Sequence, residues 1–387
     1  MRVGGHHDMR VGGHHDMRIV VFCHSLLSDW NHGNAHFLRG VTAELLDRGH
    51  DVRVYEPRDA WSKTNLVRAH GTTALDAVRA RFPWMAPHEY DPATLDLDEA
   101  LDHADLVLVH EWNDHALVKR IGERRARDGA GFRLLFHDTH HRAVTQPKEI
   151  ARYDLTGYDG VLAFGRVIRD LYLDRDWTEH AWTWHEAADT RVFHPRPATD
   201  RENDLVWIGN WGDGERGKEL REFLLRPARR LGLEGSIHGV RYPRRARLGI
   251  RLAGLRYRGW LANHDAPEQF ARHRVTVHVP RRPYVEKLPG IPTIRPFEAL
   301  ACGIPLVTSP WSDAEGLFRA GEDHLVARDG REMQRHLQTI LEDEDLAASL
   351  SRTGLETIRT RHTCAHRVDE LMAVAAELGV DPARAAA

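Results

Sequence analysis

The sequence has few cysteines, no long apolar run and no excess of one charge, and each absence excludes a class of protein. Among its 387 residues, the three cysteines (Cys23, Cys302 and Cys364) cannot form a disulfide scaffold, and none belongs to a CxxC or CxxH pair. A reducing compartment, the cytoplasm, is therefore expected. No apolar stretch approaches about 18 residues, which argues against a membrane-spanning helix. The 54 Lys and Arg against 57 Asp and Glu leave a net charge of -3, so the whole molecule is not a general polyanion binder.

The composition is that of a globular protein of more than one domain. Hydrophobic residues make up 42% of the chain and aromatic residues 8%, which excludes a mainly disordered chain. At about 150 residues per domain the length indicates two or three domains. Histidine (27) and tryptophan (11) are unusually abundant and cluster in loops.

The N-terminus repeats the octapeptide MRVGGHHD at residues 1–8 and 9–16, and a third copy begins at Met17. The repeat could be a metal-binding arm that uses His6, His7, His14 and His15. It could equally be a duplicated and disordered start region ahead of an original first residue, Met17. We expect the second, because histidine pairs on a glycine-rich tether lack a preorganised site.

From Met17 onward, short apolar runs alternate with segments of helical period, which predicts parallel sheets covered by helices. The pattern breaks at a polar stretch with two prolines and then restarts, so we expect an α/β protein with two Rossmann-like domains facing a cleft. Strands are predicted at 18–23, 51–55, 105–110, 132–136, 160–164 and 180–184, then at 205–208, 235–238, 275–279 and 304–308. The predicted organisation is a first domain at 17–186, a linker at 187–204, a second domain at 205–355 and a C-terminal helix at 356–387 crossing back.

Polar residues follow the first-domain strands, where ligands of parallel sheets bind. His24, Gly33 and Asn34 follow the first strand, and Gly33 opens a helix whose N–H groups attract anions or hydroxyls. His137, Asp138 and His140 follow a later strand. These side chains could contact a sugar or phosphate and transfer protons, could bind a metal, or could only cap a helix.

Two second-domain segments suit a diphosphate. Gly209 and Asn210 begin a glycine-rich loop, and Arg216 and Lys218 open the helix after it. The loop could bind a diphosphate through charge and amide donors, or it could be only solvated.

The second segment joins a Pro/Gly-stiffened loop to a short helix. It contains six candidate ligand residues: Arg281, Gly290, Thr293, Ile294, Arg295 and Glu298. Amides at the helix start favour a diphosphate, and a carboxylate one turn later can accept two hydrogen bonds from a vicinal diol such as a ribose.

Residues 226–258 hold ten arginines and one glutamate, a local net charge of +9. Such a run is often a solvated face. It could also bind an anionic membrane surface or a polyanionic acceptor. No sequence-reading module is visible, so specific nucleic-acid binding is not expected.

The segment Pro296-Phe297-Glu298-Ala299-Leu300-Ala301-Cys302-Gly303-Ile304-Pro305 resembles the donor-binding helix of group 1 glycosyltransferases with the GT-B fold. The nearer match is the spore-maturation-protein-B (CgeB-like) branch. Softer supporting pieces are Phe136-His137-Asp138-Thr139-His140-His141, Trp184-His185-Glu186-Ala187-Ala188-Asp189 and Val206-Trp207-Ile208-Gly209-Asn210.

The resemblance implies a hexosyltransferase-like enzyme that uses a nucleotide-diphosphate sugar, with a UDP-sugar expected and no metal or other cofactor. It implies that Glu298 holds the donor ribose, that Arg216 and Lys218 offset the diphosphate, and that the amides of Thr293 and Ile294 face it. It also places His137 near the transferred sugar.

One position departs from the family pattern. The larger family usually has a second glutamate where this chain has Gly290, and that residue normally contacts the sugar. Retention of anomeric configuration is expected by analogy, whereas inversion would need a base such as Asp29, Asp138 or His140. A nucleotide-sugar epimerase on the same frame and a non-catalytic sugar- or polyanion-binding protein are the alternatives.

Overall fold

The computed structural model describes residues 17–127, 131–197, 203–212 and 214–380. The duplicated octapeptides and part of the predicted linker lie outside these ranges. Within them the chain forms two α/β domains, each built on one parallel sheet, as the alternating sequence pattern predicts.

The first domain has a seven-stranded sheet in the order β3-β2-β1-β4-β5-β6-β7. Its strands are β1 (Arg18–Phe22), β2 (Asp51–Pro57), β3 (His88–Tyr90), β4 (Leu106–His110), β5 (Arg133–Asp138), β6 (Gly160–Ala163) and β7 (Ala181–Thr183). Its helices are α1 (Ala35–Asp47), α2 (Trp61–His70), α3 (Thr73–Arg81), α4 (Leu97–Ala100), α5 (His115–Arg127), α6 (Arg142–Thr145), α7 (Pro147–Ile150) and α8 (Arg166–Asp174).

The second domain has a six-stranded sheet in the order β10-β9-β8-β11-β12-β13. Its strands are β8 (Asn203–Ile208), β9 (Gly235–His238), β10 (Leu255–Gly259), β11 (His273–His278), β12 (Leu306–Thr308) and β13 (Leu325–Val326). Its helices are α9 (Gly217–Leu220), α10 (Arg226–Leu231), α11 (Arg244–Leu252), α12 (Ala266–Ala271), α13 (Arg282–Lys287), α14 (Ile294–Ala301), α15 (Gly330–Glu342), α16 (Glu344–Arg361) and α17 (Cys364–Glu377), with a π-helical segment at Arg221–Leu225 and a 3-10 turn at Asn263–Asp265.

Strand order reverses between β1 and β4 in the first sheet and between β8 and β11 in the second. Loops that leave the carboxyl ends of these strands diverge, and a ligand crevice opens there. Four central strands therefore direct their loops into one region between the domains.

The C-terminal part differs from the sequence prediction in where the helix breaks. α16 runs through residues 355 and 356, so no boundary falls there, and the chain turns at His362 before α17 begins. α17 packs on α1 of the first domain and buries Val368 and Leu371 completely. The return to the first domain is thus present, but it is made by α17 alone.

The linker is also shorter than the composition suggests. β8 begins at Asn203, inside the polar stretch predicted as linker, because Asn203 pairs with His273 of β11. Within the described residues, no helix is both long and apolar enough to cross a membrane.

Candidate functional site

A cavity of about 600 Å³ lies between the two sheets and is walled by both domains. Its floor is formed by the loops that follow β1, β4, β5, β8 and β11. Most of the candidate site residues from the sequence analysis line this cavity. They are His24, Gly33, Asn34 and His140 from the first domain, and Gly209, Asn210, Arg216, Arg281, Thr293, Ile294 and Arg295 from the second.

Three arginines line one end of the cleft, and two of them already pair with carboxylates: Arg281 with Glu215 at 3.2 Å and Arg295 with the buried Glu298. The Arg216 guanidinium donates to the carbonyl oxygens of Asn210 (2.6 Å) and Val279 (3.0 Å), which fix it against the wall. Burial and then the charge of Arg281 lower the pKa of Arg216 to about 10, although Tyr242 and Glu215 act in the opposite direction. At neutral pH it stays charged, and among the described residues it has no carboxylate partner. This end of the cleft therefore favours an anion.

Two helix starts face each other across the same space. Gly33 lies just before α1, and a Cβ atom placed on it would lie 3.3 Å from Cγ2 of Ile294, the first residue of α14. Thr293 precedes α14 with a φ of 65°. First-turn N–H groups and the helix dipole add positive potential at such a point. The α14 start thus reinforces the charge of the arginines.

Glu298 does not reach the cleft surface. Its carboxylate is completely buried and accepts hydrogen bonds from His36 Nδ1 and Asn263 Nδ2, both at 2.7 Å, while Arg295 pairs with its other oxygen. Burial opposes ionisation, but Arg295 and the hydrogen bonds outweigh it and hold the Glu298 pKa below its ordinary value. In this structure Glu298 orients Arg295 and Asn263, and those two residues line the cleft.

His137 and Asp138 lie in β5 itself, which corrects the prediction that they follow the strand. Pairing of Asp138 with Ala163 of β6 extends the strand past Phe136. Asp138 accepts from the Tyr172 hydroxyl (2.9 Å) and the His140 N–H (3.0 Å), and burial raises its pKa to about 6. Both side chains are buried behind the cleft wall, so Asp138 supports His140 and does not face a ligand.

Lys218 and Gly290 also lie away from the cleft. Lys218 is exposed on α9 and does not line the cavity. Gly290 has a φ of 92°, and a Cβ atom there would lie 2.6 Å from Cγ of Glu315. A glutamate at position 290 would therefore be strained and would collide with Glu315, which is a physical reason for the glycine.

Glu186 is the site residue that sequence reasoning missed. It lines the cleft at the end of the first domain, is 7% exposed, and accepts one hydrogen bond from Asn34 Nδ2 at 3.2 Å. Burial, and then the charge of Glu298, raise the Glu186 pKa to about 8. The available signal is its place directly after the strand predicted at 180–184, where ligands of parallel sheets bind.

The first-domain wall combines aromatic rings with neutral imidazoles. Trp61 and Trp112 line the cleft and stay 47% and 40% exposed. Burial lowers the pKa of His24 to about 4 and that of His140 well below its ordinary value. The cation beside Trp112 is Arg142, which already pairs with Glu111 at 2.7 Å. This wall therefore offers uncharged hydrogen-bonding groups and stacking surfaces.

Metal ligation by the histidine-rich loops finds no support in the described ranges. Within residues 17–127, 131–197, 203–212 and 214–380, no three His, Cys, Asp or Glu side chains converge as metal ligands would.

Comparisons with known proteins agree with the two-domain architecture. Residues 218–373 match a family model described as glycosyl transferase-like. No curated protein is significantly similar in sequence. Among solved structures, an alpha-glucosyltransferase in complex with UDP and a 13-mer DNA matches with a TM-score of 0.67 and 12% identity, over 93% of this chain and 100% of that one.

Two further structures span nearly the whole chain. Sucrose-phosphate synthase from Thermosynechococcus elongatus has a TM-score of 0.62 and 15% identity, covering 94% of this chain and 99% of that chain. HepE from Anabaena, in complex with UDP and glucose, has a TM-score of 0.63 and 14% identity, covering 93% and 100%. The chain thus has the GT-B fold, and residues 218–373 of it match the glycosyl transferase-like family model.

Proposed function

We propose that the protein is a glycosyltransferase that moves a hexosyl group from a UDP-sugar to an acceptor without a metal ion. The observation that carries the proposal is the meeting of Arg216, Arg281 and Arg295 with the α14 start at one end of the cleft. Departure of a nucleoside diphosphate builds negative charge on its oxygens. Fixed cations and helix amides stabilise that charge without reorganisation.

A uridine nucleotide is the donor we favour. HepE of Anabaena has been solved with UDP-glucose as well as with UDP and glucose, on the same fold. The arginine geometry suits any nucleoside diphosphate, so the base is the part of the proposal that rests on similarity alone.

The transferred sugar would lie between the arginines and the first-domain wall. Asn34 and Glu186 line that middle part and are hydrogen-bonded to each other. A protonated Glu186 carboxyl can donate to a sugar hydroxyl while its other oxygen accepts. The acceptor would approach from the wall that carries Trp112, His24 and His140.

We favour retention of anomeric configuration. Of the bases that inversion would need, Asp29 is paired with Arg39 at 3.1 Å and also accepts from Trp260 Nε1 and the Asn263 N–H. Asp138 is likewise engaged behind the wall. His140 is the remaining one. The anomeric coupling constant of the first-formed product, read by NMR, distinguishes the outcomes.

The family branch and the cellular location of the protein are part of the same proposal. Membership of the CgeB-like branch rests on the short segments quoted from the sequence, and a cytoplasmic location rests on cysteine usage. Contact with an anionic membrane through residues 226–258 is proposed on separate structural grounds.

The donor site is tested by calorimetry of UDP with the purified chain, after a thermal-shift panel of UDP-, GDP-, ADP- and TDP-sugars. Arg281→Gln and Arg295→Gln should each weaken UDP binding at least about tenfold, since each removes a charged hydrogen bond to phosphate. Lys218→Gln is the matched control, because Lys218 is exposed outside the cleft. Its affinity should stay that of the unsubstituted protein.

Two results would contradict the proposal. Equal UDP affinity in all three variants would place the nucleotide elsewhere. Conversion of the donor sugar with no acceptor present, followed by NMR, would instead identify an epimerase.

A further inference from the structure

Helix α11 presents two leucines directly away from the domain core. Ala246 and Ile250 are its buried residues, whereas Leu248 and Leu252 are 50% and 61% exposed. At 100° per residue, the leucine pair points opposite to the buried pair. Single exposed leucines are ordinary on protein surfaces, but an i, i+4 pair on the solvent face of a nine-residue helix is a small apolar stripe.

Arginines flank this stripe on both sides. Arg244 and Arg251 lie on one side of the leucines by helical position, and Arg245 lies on the other. All three are exposed, and within the described residues none of them forms a salt bridge with an acidic side chain. We call these five residues (Arg244, Arg245, Leu248, Arg251 and Leu252) the α11 face.

The neighbouring strand extends the charge. β10 is an edge strand, and its Arg256 and Arg258 are exposed and also without a salt bridge in the described part of the chain. In the segment 226–258, Glu234 is the one acidic residue, and it precedes β9 outside α11. The ten arginines of this segment are therefore balanced by a single carboxylate of the segment itself.

The combination favours one kind of occupant. A second copy of the chain would bring arginines against arginines, which repel. Nucleic acid would neutralise the arginines but would leave the leucines without apolar contacts. An anionic bilayer satisfies both, because its headgroups attract the arginines while its interfacial region takes up the leucines.

The surface borders the cleft. Arg241 lines the cavity and lies three residues before α11 on the same connection from β9. A membrane docked on α11 would therefore lie near the second-domain side of the cleft.

We propose that the α11 face docks the protein on anionic lipid bilayers, with Leu248 and Leu252 inserted at the headgroup boundary and the arginines bound to lipid phosphates. This inference stands apart from the donor chemistry, since none of the five residues lines the cleft.

The test is co-sedimentation of the full chain with vesicles of phosphatidylcholine alone or mixed with phosphatidylglycerol, without nucleotide. Binding should require phosphatidylglycerol and fall with salt. Arg244→Gln with Arg245→Gln should weaken it at least about tenfold, as expected for two charges near an anionic surface. Leu248→Ser with Leu252→Ser should weaken it by a similar factor.

Matched controls remove the same groups elsewhere. Arg331→Gln with Arg335→Gln takes two exposed charges from α15 of the same domain, and Leu173→Ser removes an exposed leucine from α8. Both should bind vesicles as the unsubstituted chain does. Thermal midpoints and UDP titrations of every variant test whether the fold and the donor site are intact. Loss of vesicle binding can then be distinguished from failure of the proposed function.

Three outcomes would overturn the proposal. One is equal binding to neutral and anionic vesicles, or no binding to either kind of vesicle. Another is a leucine variant that sediments with anionic vesicles as the unsubstituted chain does. A third is tighter binding to a short DNA duplex that does not depend on Leu248 and Leu252, which would make this a nucleic-acid surface.

Discussion

Two buried carboxyl groups near the cleft have opposite protonation because their partners differ. Glu298 is held ionised by Arg295, His36 and Asn263. Glu186 accepts a hydrogen bond from the neutral Asn34 and has no paired cation in the described structure. Burial, and then repulsion by the charge of Glu298, therefore raise its pKa to about 8. An ionised carboxylate therefore fixes the donor-side groups, while a neutral carboxyl faces the ligand space. Pairs of this kind separate an electrostatic role from a hydrogen-donating one.

We predict that activity falls as pH rises through about 8, the pKa to which burial raises Glu186, and that Glu186→Gln removes this alkaline limb. The amide keeps a donor at the same position and does not ionise. The pH profile of kcat/KM for both proteins is the measurement.

The same shift bears on stability. In the unfolded chain the Glu186 carboxyl ionises near its ordinary value of 4.5, whereas in the folded protein it holds its proton to about 8. Folding stability from this group is full below pH 4.5 and is lost as pH rises to about 8. The thermal midpoint of Glu186→Gln should therefore rise relative to that of the unsubstituted protein as pH increases over this range.

The control for the activity profile is Glu215→Gln, at a cleft carboxylate paired with Arg281, which should keep the alkaline fall in kcat/KM. If Glu186→Gln also kept this fall, Glu186 would have no part in the reaction.

At the scale of elements, the sequence predicted the features that local pattern determines. Apolar runs predicted ten of the thirteen strands in the described residues, whereas the short β3 and β13 and the arginine-containing β10 were not predicted. What it could not predict depends on partners distant in the chain. His36, which bonds Glu298, lies 262 residues earlier, and this contact turns an expected ribose ligand into a buried support. Asp138 was expected in a loop because its pairing with β6 is not visible in its own segment.

The contact of α1 with α17 depends on a glycine. A Cβ atom at Gly40 would lie 2.7 Å from Cβ of Asp189 and would also collide with Sγ of Cys364 at the start of α17. Gly40→Ala gains about 1 kcal/mol of helix propensity but loses roughly 1–3 kcal/mol to overpacking, so we expect a lower thermal midpoint. Gly249→Ala is the matched control, since its Cβ atom would meet Leu225 at an ordinary 3.5 Å. A midpoint for Gly40→Ala at or above the original would show that the two helices separate without cost.

At the scale of the whole molecule, one hydrophobic core joins the two domains. It contains residues of β1 and α1 from the first domain, of β8 and α14 from the second, and of α17. The Trp184 indole N–H donates to the Arg367 carbonyl at 2.8 Å, and Cys364 N–H donates to Ala188 at 3.0 Å. These contacts tie α17 to the first domain and to the linker, so packing as well as the linker fixes the position of the two domains across the cleft.

We predict that removing α17, by ending the chain at His362, uncouples the domains. The truncation deletes Val368 and Leu371, both fully buried, and exposes the apolar face of α1 that they cover. Calorimetry should then show a lower midpoint and two separate transitions, because a shared core is what makes domains unfold together. A chain ending at Val380 keeps α17 and should unfold as the full chain does. A single transition at the original midpoint in the shorter chain would mean that the linker and cleft contacts alone hold the domains together.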